Sequence, residues 1–126
     1  MDAKSSQAPQ QQQRRYLRAK VDLPLTFMLE GDTATAFTGR ARDLGGGGLR
    51  LETTEDLPQG ALLTLRFSVP SGRHEMMMRG RIVLSFYNAA TKQYGHGIAF
   101  TQVAPDDQES IVAFVHEYQR LELQGR

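Results

Sequence analysis

The sequence predicts an all-β fold, a six-stranded antiparallel β-barrel that is followed by one C-terminal α-helix. Apolar and polar residues alternate with a period of two in about six segments, and turn-forming glycine and proline residues separate these segments. After Pro105 the apolar residues follow a helical period instead. Short strands with one buried face favour a closed barrel, because closure removes the exposed edges of the sheet.

The first predicted strand starts at Val21 and ends near Leu29, with alternate apolar residues on its buried face. Pro24 lies within this strand and has no N–H group to donate to a ladder, so we expect an edge or a bulge at that position. A turn at Gly31 and Asp32 follows.

A glycine run divides the next two strands. The second strand is predicted over residues 35–42 and the third over residues 48–53, with Leu49 and Leu51 on its buried face. Residues 43–48, which are DLGGGG in one-letter code, are expected to interrupt the two strands as a wide turn or a β-bulge.

Three further strands are each bounded by turn signals. We predict them over residues 61–69, 74–87 and 92–103. His96 is interpreted as a polar residue near a strand end. On the longest of these strands, the expected buried face comprises Met76, Met78, Ile82, Leu84 and Phe86.

The helix is predicted from the last part of the chain. Asp106 is placed at the N-cap, and Glu109 follows three residues later, a pattern that resembles a capping box. We expect the helix to end near Gly125. The apolar residues on its buried face are spaced i, i+3, i+4 and i+7, and they are Ile111, Phe114, Val115 and Tyr118.

Length and composition indicate one domain, since 126 residues suffice for a single modest core. Residues 1–13 are polar and rich in glutamine, so we expect a disordered leader, with the domain over residues 14–126. The sequence contains no run of about 20 apolar residues and no apolar signal segment. We therefore expect a cytoplasmic protein that does not insert into a membrane.

Composition also argues against several kinds of chemistry. The chain has no cysteine, and its three histidines are not spaced as metal ligands. No nucleophile–base arrangement is visible, so we expect neither an enzyme nor a metal or cofactor. The net charge of +1 argues against a general nucleic-acid binder. A binder of single strands through surface tyrosines is an alternative, although no ladder of aromatic and basic residues supports it.

The first segment that could carry chemistry is RRYLR, residues 14–18, just before the first strand. Guanidinium groups are planar, permanently charged and forked, so they can hold phosphate and the O6/N7 edge of guanine. A local basic excess in a nearly neutral chain suggests a confined anionic ligand. The alternative is a solvated basic flank that binds nothing.

The second segment is DLGGGG, residues 43–48. Glycine lets a ligand approach the main chain, and successive N–H groups can bind an anion. The Asp43 carboxylate can accept hydrogen bonds from the adjacent donors on the edge of guanine. The alternative is a turn or bulge that only bends the barrel. The segment is not a P-loop, because no Lys-Ser or Lys-Thr pair follows it.

In their order and spacing, the two segments together resemble the PilZ family. Its members carry Arg-x-x-x-Arg just before the first strand and Asp/Asn-x-Ser-x-x-Gly between two later strands. Arg14 and Arg18 match the first motif, and Asp43 and Gly48 match the ends of the second. The likeness continues into the last strand, YGHGIAF, and the helix after it.

The resemblance implies a bacterial receptor for the second messenger cyclic di-GMP, bound as one molecule or as an intercalated pair. It assigns contacts with guanine and phosphate to Arg14 and Arg18, with Arg15 as an additional arginine. It assigns a guanine-edge contact to Asp43 and close backbone approach to Gly48. We expect ligand capture to order residues 14–18 and to signal to an effector protein that the sequence does not identify.

One position departs from the family pattern, because Gly45 stands where the family has serine. The missing hydroxyl removes a hydrogen bond worth about 0.5–1.5 kcal/mol, although a water could occupy the space that glycine leaves. We therefore expect weakened binding at a site that includes Gly45. The departure also motivates an alternative function, a degenerate PilZ-like module that binds a protein partner and no nucleotide.

Overall fold

The computed structural model describes residues 16–32, 34–70, 72 and 74–124. These residues form β1 (Arg18–Leu29), β2 (Phe37–Gly45), β3 (Gly48–Thr53), β4 (Leu62–Phe67), β5 (Met76–Asn88), β6 (Gln93–Gln102) and α1 (Pro105–Gln124). The strands pair antiparallel and close into a barrel in the order β1-β2-β3-β6-β5-β4. The predicted fold class is therefore confirmed. The predicted leader, Arg14, Arg15 and Gly125 lie outside the described residues.

One apolar core fills the barrel and extends to α1. The helix contributes Ile111 and Val115, which are 0% and 1% exposed, and Tyr118 packs against the same core. The predicted apolar face of the helix is thus confirmed. The largest fully buried apolar side chains from the strands are Phe27, Leu44, Leu49, Leu51, Leu63, Leu65, Met76, Ile82 and Ile98.

Helix α1 begins one residue before the predicted N-cap. The N–H of Gln108 donates to the carbonyl of Ala104 at 2.9 Å, so Ala104 precedes the first turn and Pro105 is its first residue. Proline suits this position because its missing N–H would have no helical partner there. The prediction of Asp106 as N-cap is therefore wrong. Among the described residues, no helix combines the length and apolar character that crossing a membrane requires.

A bulge in β2 alters the predicted boundary at the glycine run. Ala41 pairs with Leu51 and Leu44 pairs with Leu49, so Arg42 and Asp43 together lie opposite a single residue of β3. Ala41 and Leu44 are both fully buried. This is possible because the extra residue of the bulge turns the side chain of Leu44 back toward the core. The prediction that the strand ends at residue 42 is wrong: β2 continues to Gly45, and only two glycines form the turn.

A second bulge reverses the predicted faces of β5. The pairing with β6 shifts between Ile82 and Leu84. Beyond the shift, Ser85 turns toward His96, while Leu84 and Phe86 are 57% and 41% exposed. The prediction that Leu84 and Phe86 lie in the core is therefore wrong, because an inserted residue exchanges the two faces of every position after it.

At Pro24, β1 has a neighbouring strand on one side only. Pro24 pairs with Arg40 of β2, whereas pairing with β4 starts at Thr26. The register with β2 also shifts between Lys20 and Leu23. The expectation of an edge or bulge near this proline is confirmed.

Candidate functional site

The start of β1 and the β2–β3 hairpin lie side by side at one end of the barrel. Across β1 and β2, Arg18 pairs with Gly45 and Lys20 pairs with Asp43. Gly45 also pairs with Gly48 where the hairpin closes. The described parts of the two segments that the sequence singles out are therefore adjacent. Arg18 already belongs to β1, so its backbone is held by strand pairing without a ligand.

Asp43 forms an ion pair with Arg50 across the bulge. The Arg50 Nε donates to Asp43 Oδ2 at 3.0 Å, and the two side chains are 34% and 28% exposed. In the described part of the chain, the other carboxylate oxygen and the terminal guanidinium nitrogens have no partner. Arg50 was not predicted as a site residue. The sequence indicates its position, because Arg50 lies between Leu49 and Leu51, and the residue between two buried strand positions points outward.

Other arginines near the glycine run hold the strands together. The Arg42 Nε donates to the carbonyl of Val21 at 3.2 Å, and its Nη1 donates to Glu52 at 3.0 Å. Arg40 donates to the carboxylate of Asp22 at 2.7 Å. This hydrogen bond, aided by the positive charge of Arg40, lowers the pKa of Asp22 below its ordinary value. The side chains of Arg40 and Arg42 are thus engaged in structural contacts. The exposed side chain of Arg18 makes no hydrogen bond or ion pair with the described residues.

The position of the family serine is closed by the chain itself. A Cβ atom at Gly45 would lie 2.6 Å from the carbonyl oxygen of Leu17 and 3.0 Å from Cγ of Arg18. Real Cβ atoms essentially never lie under 3.0 Å from such a neighbour. Glycine therefore leaves no open space at the Cβ position itself. Replacement of the serine hydroxyl by a water stays a prediction. Gly45 allows the residues before β1 to lie directly against β2.

Helix α1 contacts both parts of this region. A Cβ at Gly46 would lie 2.6 Å from the ring of Tyr16 and 2.8 Å from Val112 of α1, so the glycine turn fits closely between them. The Gln108 side chain donates to the carbonyl of Gly46 at 2.9 Å. The Gln119 side chain donates to the carbonyl of Arg18. The helix is therefore attached to the hairpin turn and to the start of β1.

The sequence model of the PilZ domain matches residues 12–117. This chain belongs to the PilZ domain family. The predicted resemblance is thereby confirmed, and the match covers the start of β1, the hairpin and most of α1. No curated protein matches the sequence.

Solved structures share the fold of this PilZ domain. The inhibitor of motility MotI/DgrA from Bacillus subtilis superposes with a TM-score of 0.73 at 15% identity, covering 84% of this chain and 51% of that protein. The chain thus spans about half the length of the motility inhibitor. The PilZ domain of YcgR from Escherichia coli, solved with c-di-GMP, superposes with a TM-score of 0.61 at 14% identity, covering 88% of this chain and 97% of that one. The PilZ domain of CeSA from a cellulose-synthesizing bacterium gives 0.59 at 16% identity over 82% and 98% of the two chains.

His96 occupies a buried position in the PilZ domain. It is 0% exposed, in contrast to its interpretation as a strand-end residue. Its Nε2 lies 3.0 Å from the carbonyl of Glu55, to which only an N–H can bind, and its Nδ1 lies 2.7 Å from Ser85 Oγ. Both ring nitrogens are therefore satisfied by the fold. The described residues contain no cluster that could hold a metal ion.

Proposed function

We propose that this PilZ domain is a receptor for cyclic di-GMP, which binds on the outer face formed by the start of β1 and the β2–β3 hairpin. The observation that carries the proposal is the pairing of Arg18 with Gly45 and of Lys20 with Asp43, which sets the second motif arginine diagonally across from the motif aspartate, with Lys20 directly opposite that aspartate. Family membership supports it, as does the c-di-GMP in the structure of the YcgR domain.

The chemistry of the face suits a guanine nucleotide. The Asp43 oxygen that has no partner among the described residues is an acceptor for the N1–H and N2–H₂ donors of guanine. The exposed guanidinium of Arg18 and the terminal nitrogens of Arg50 are donors for phosphate oxygens or for the O6/N7 edge. We extend the same role to Arg14 and Arg15, which precede Tyr16 in the chain.

Helix α1 is the element that would transmit ligand binding to a protein partner. Tyr16 lies on the glycine turn beside Val112, and Gln119 binds the carbonyl of Arg18. A ligand that draws the preceding arginines toward the hairpin would shift Tyr16 and therefore the surface that α1 offers. The outcome is a receptor that reports to a separate effector protein and performs no catalysis itself.

A second function is favoured by one observation. Gly45 lacks the family hydroxyl, and the Leu17 carbonyl oxygen lies 2.6 Å from the place that a Cβ at this position would occupy. A domain in which this contact is permanent would serve as a protein-interaction module without a nucleotide.

Isothermal titration calorimetry with cyclic di-GMP tests the proposal. The parent should bind with one or two ligands per chain, while Arg18→Ala and Asp43→Ala should each weaken binding by about 10- to 100-fold, the value of a lost charge-assisted hydrogen bond. The matched control is Arg66→Ala, an exposed arginine on β4 away from the hairpin. Circular dichroism would confirm that each variant is folded.

Three results would decide against this proposal. Absence of heat with the parent would favour the nucleotide-free module. Unchanged binding in both site variants would place the nucleotide elsewhere on the barrel. An equal loss of cyclic di-GMP affinity in Arg66→Ala would show that the overall positive charge, and not this face, determines the affinity.

A further inference from the structure

The arginines of the described residues differ in whether a carboxylate lies close to them. Those with a carboxylate oxygen within 3.0 Å are Arg40, Arg42, Arg50 and Arg120. Those without such a neighbour in the described part of the chain are Arg18, Arg66, Arg79 and Arg81. Arg18 belongs to the proposed nucleotide face, whereas the other three lie together on β4 and β5. A second surface therefore carries arginine charge that the fold leaves uncompensated.

These three arginines form a compact patch on the outer face of β4 and β5. The basic patch consists of the cross-strand pairs Arg66 with Met77, Thr64 with Arg79 and Leu62 with Arg81. Arg79 and Arg81 are two positions apart on one strand, about 7 Å, and Arg66 lies diagonally across from Arg79. Glu30 comes no closer to Arg79 than 4.0 Å, and Arg81 donates to the carbonyl of Gly60 at 3.3 Å. The patch is therefore positively charged and faces outward.

An open hollow of about 540 Å³ lies beside the basic patch. Its walls come from β4, from β5 and from the segment that joins β6 to α1. Arg79 and Met77 of the patch line it, together with Val103, Ala104 and Pro105. Met77 is 56% exposed, so its apolar side chain is available for contact. The hollow can therefore accept an apolar side chain next to an arginine that binds an anion.

We propose that the basic patch and the hollow together bind an acidic segment of a partner protein, whose carboxylates meet the arginines and whose apolar side chain enters the hollow. Guanidinium groups bind carboxylates through two parallel hydrogen bonds. Carboxylates at i and i+4 of a helix are about 6 Å apart, which is close to the spacing of Arg79 and Arg81. Arginine and methionine are also enriched in protein–protein interfaces.

The composition of this surface favours a protein over a strand of nucleic acid. Proteins that bind single strands stack the bases on aromatic side chains, and the described residues of the patch and the hollow include none. The surface also lies apart from the proposed nucleotide face. Strand β4 pairs with β1 only from Thr26 to Leu29, whereas that face includes the first residues of β1. The inference therefore goes beyond the proposed function, and its test needs no nucleotide.

Fluorescence anisotropy of a labelled peptide that repeats Glu-Glu-Leu-Glu, titrated with the full chain, tests the inference. The parent should bind this peptide. Arg79→Glu should weaken binding at least about tenfold, because it sets a carboxylate against those of the peptide. Lys92→Glu is the matched control, since it makes the same charge reversal at an exposed residue in the turn between β5 and β6. This control should bind within about twofold of the parent.

Several outcomes would overturn the inference. One is a parent that does not bind the peptide, and another is an equal loss of affinity in Lys92→Glu. Tighter binding of a labelled oligothymidylate than of the peptide would assign the patch to nucleic acid instead.

Amide chemical shifts of the unmodified chain give a second readout that needs no variant. On addition of the peptide, they should move at residues 62–66, 77–81 and 102–105. Movement confined to residues 43–50 would place the peptide on the nucleotide face and contradict the inference. Shifts of the basic patch that change with the concentration of the chain alone would assign this surface to a second copy and would equally contradict it.

Discussion

At Gly45, the absence of one carbon atom determines how the chain before β1 meets the barrel. The Leu17 carbonyl and the Arg18 side chain lie within 3.0 Å of the place that a Cβ would occupy. The departure from the family serine is thus more than the loss of one hydroxyl. Without a Cβ at this position, the Leu17 carbonyl can lie directly against β2.

We expect Gly45→Ser to destabilise the domain, although it restores the family residue. Displacing the Leu17 carbonyl should lower the free energy of unfolding by about 1–3 kcal/mol, as overpacking of a tight site does. Urea denaturation would measure it. Gly97→Ser is the control, because a Cβ there meets its nearest neighbour at an ordinary 3.5 Å. Equal stability of Gly45→Ser and the parent would show that the approach is not required.

At the scale of elements, α1 is joined to the ligand face by side-chain amides. Gln108 reaches the glycine turn, and Gln119 reaches the first residue of β1. These two glutamines lie on the half-buried flank of the helix, next to the apolar residues that enter the core. The same helix therefore covers the barrel and contacts the segment before it.

Removing the contact of Gln119 should loosen the start of β1. In Gln119→Ala, the carbonyl of Arg18 loses its donor, and we expect amide hydrogen exchange at residues 17–19 to accelerate about two- to tenfold, as one lost hydrogen bond would cause. Glu122→Ala, an exposed position on the same helix, serves as the control. Identical exchange in both variants would mean that α1 does not hold β1.

At the scale of the whole molecule, the barrel and α1 share one core. Ile111 and Val115 belong to the same buried cluster as Leu44 and Leu49 of the strands. Because the described residues form no separate core for the helix, it should not unfold independently of the barrel. We therefore expect one cooperative transition, as is usual for a domain of this size.

Ile111→Ala should destabilise the whole domain by about 2–5 kcal/mol, the cost of removing a fully buried branched side chain. Far-ultraviolet circular dichroism and tyrosine fluorescence should report the same midpoint in chemical denaturation. Leu121→Ala, which changes a 54% exposed residue of α1, should leave that midpoint nearly unchanged. Separate midpoints for the two probes in Ile111→Ala would show instead that the helix unfolds first.

The sequence predicted most of this fold because its signals are local. Strand alternation, turn residues and the change of period after Pro105 each depend on residues within a few positions. They placed all six strands and the apolar face of α1. The family motifs likewise singled out Arg18, Asp43, Gly45 and Gly48, which the structure places at the same end of the barrel. Whether these residues bind a nucleotide stays a prediction.

By itself, the sequence determined the number of strands, the final helix, the family and the segments in which to look for a site. Only the tertiary structure decided which way residues face after a bulge, as at Leu84 and Phe86, and which residues meet across strands, as Asp43 and Arg50 do. It also revealed that the space at Gly45 is filled. The physical reason is that alternation along one strand records its local direction, whereas an inserted residue is accommodated against a partner strand that is distant in the chain.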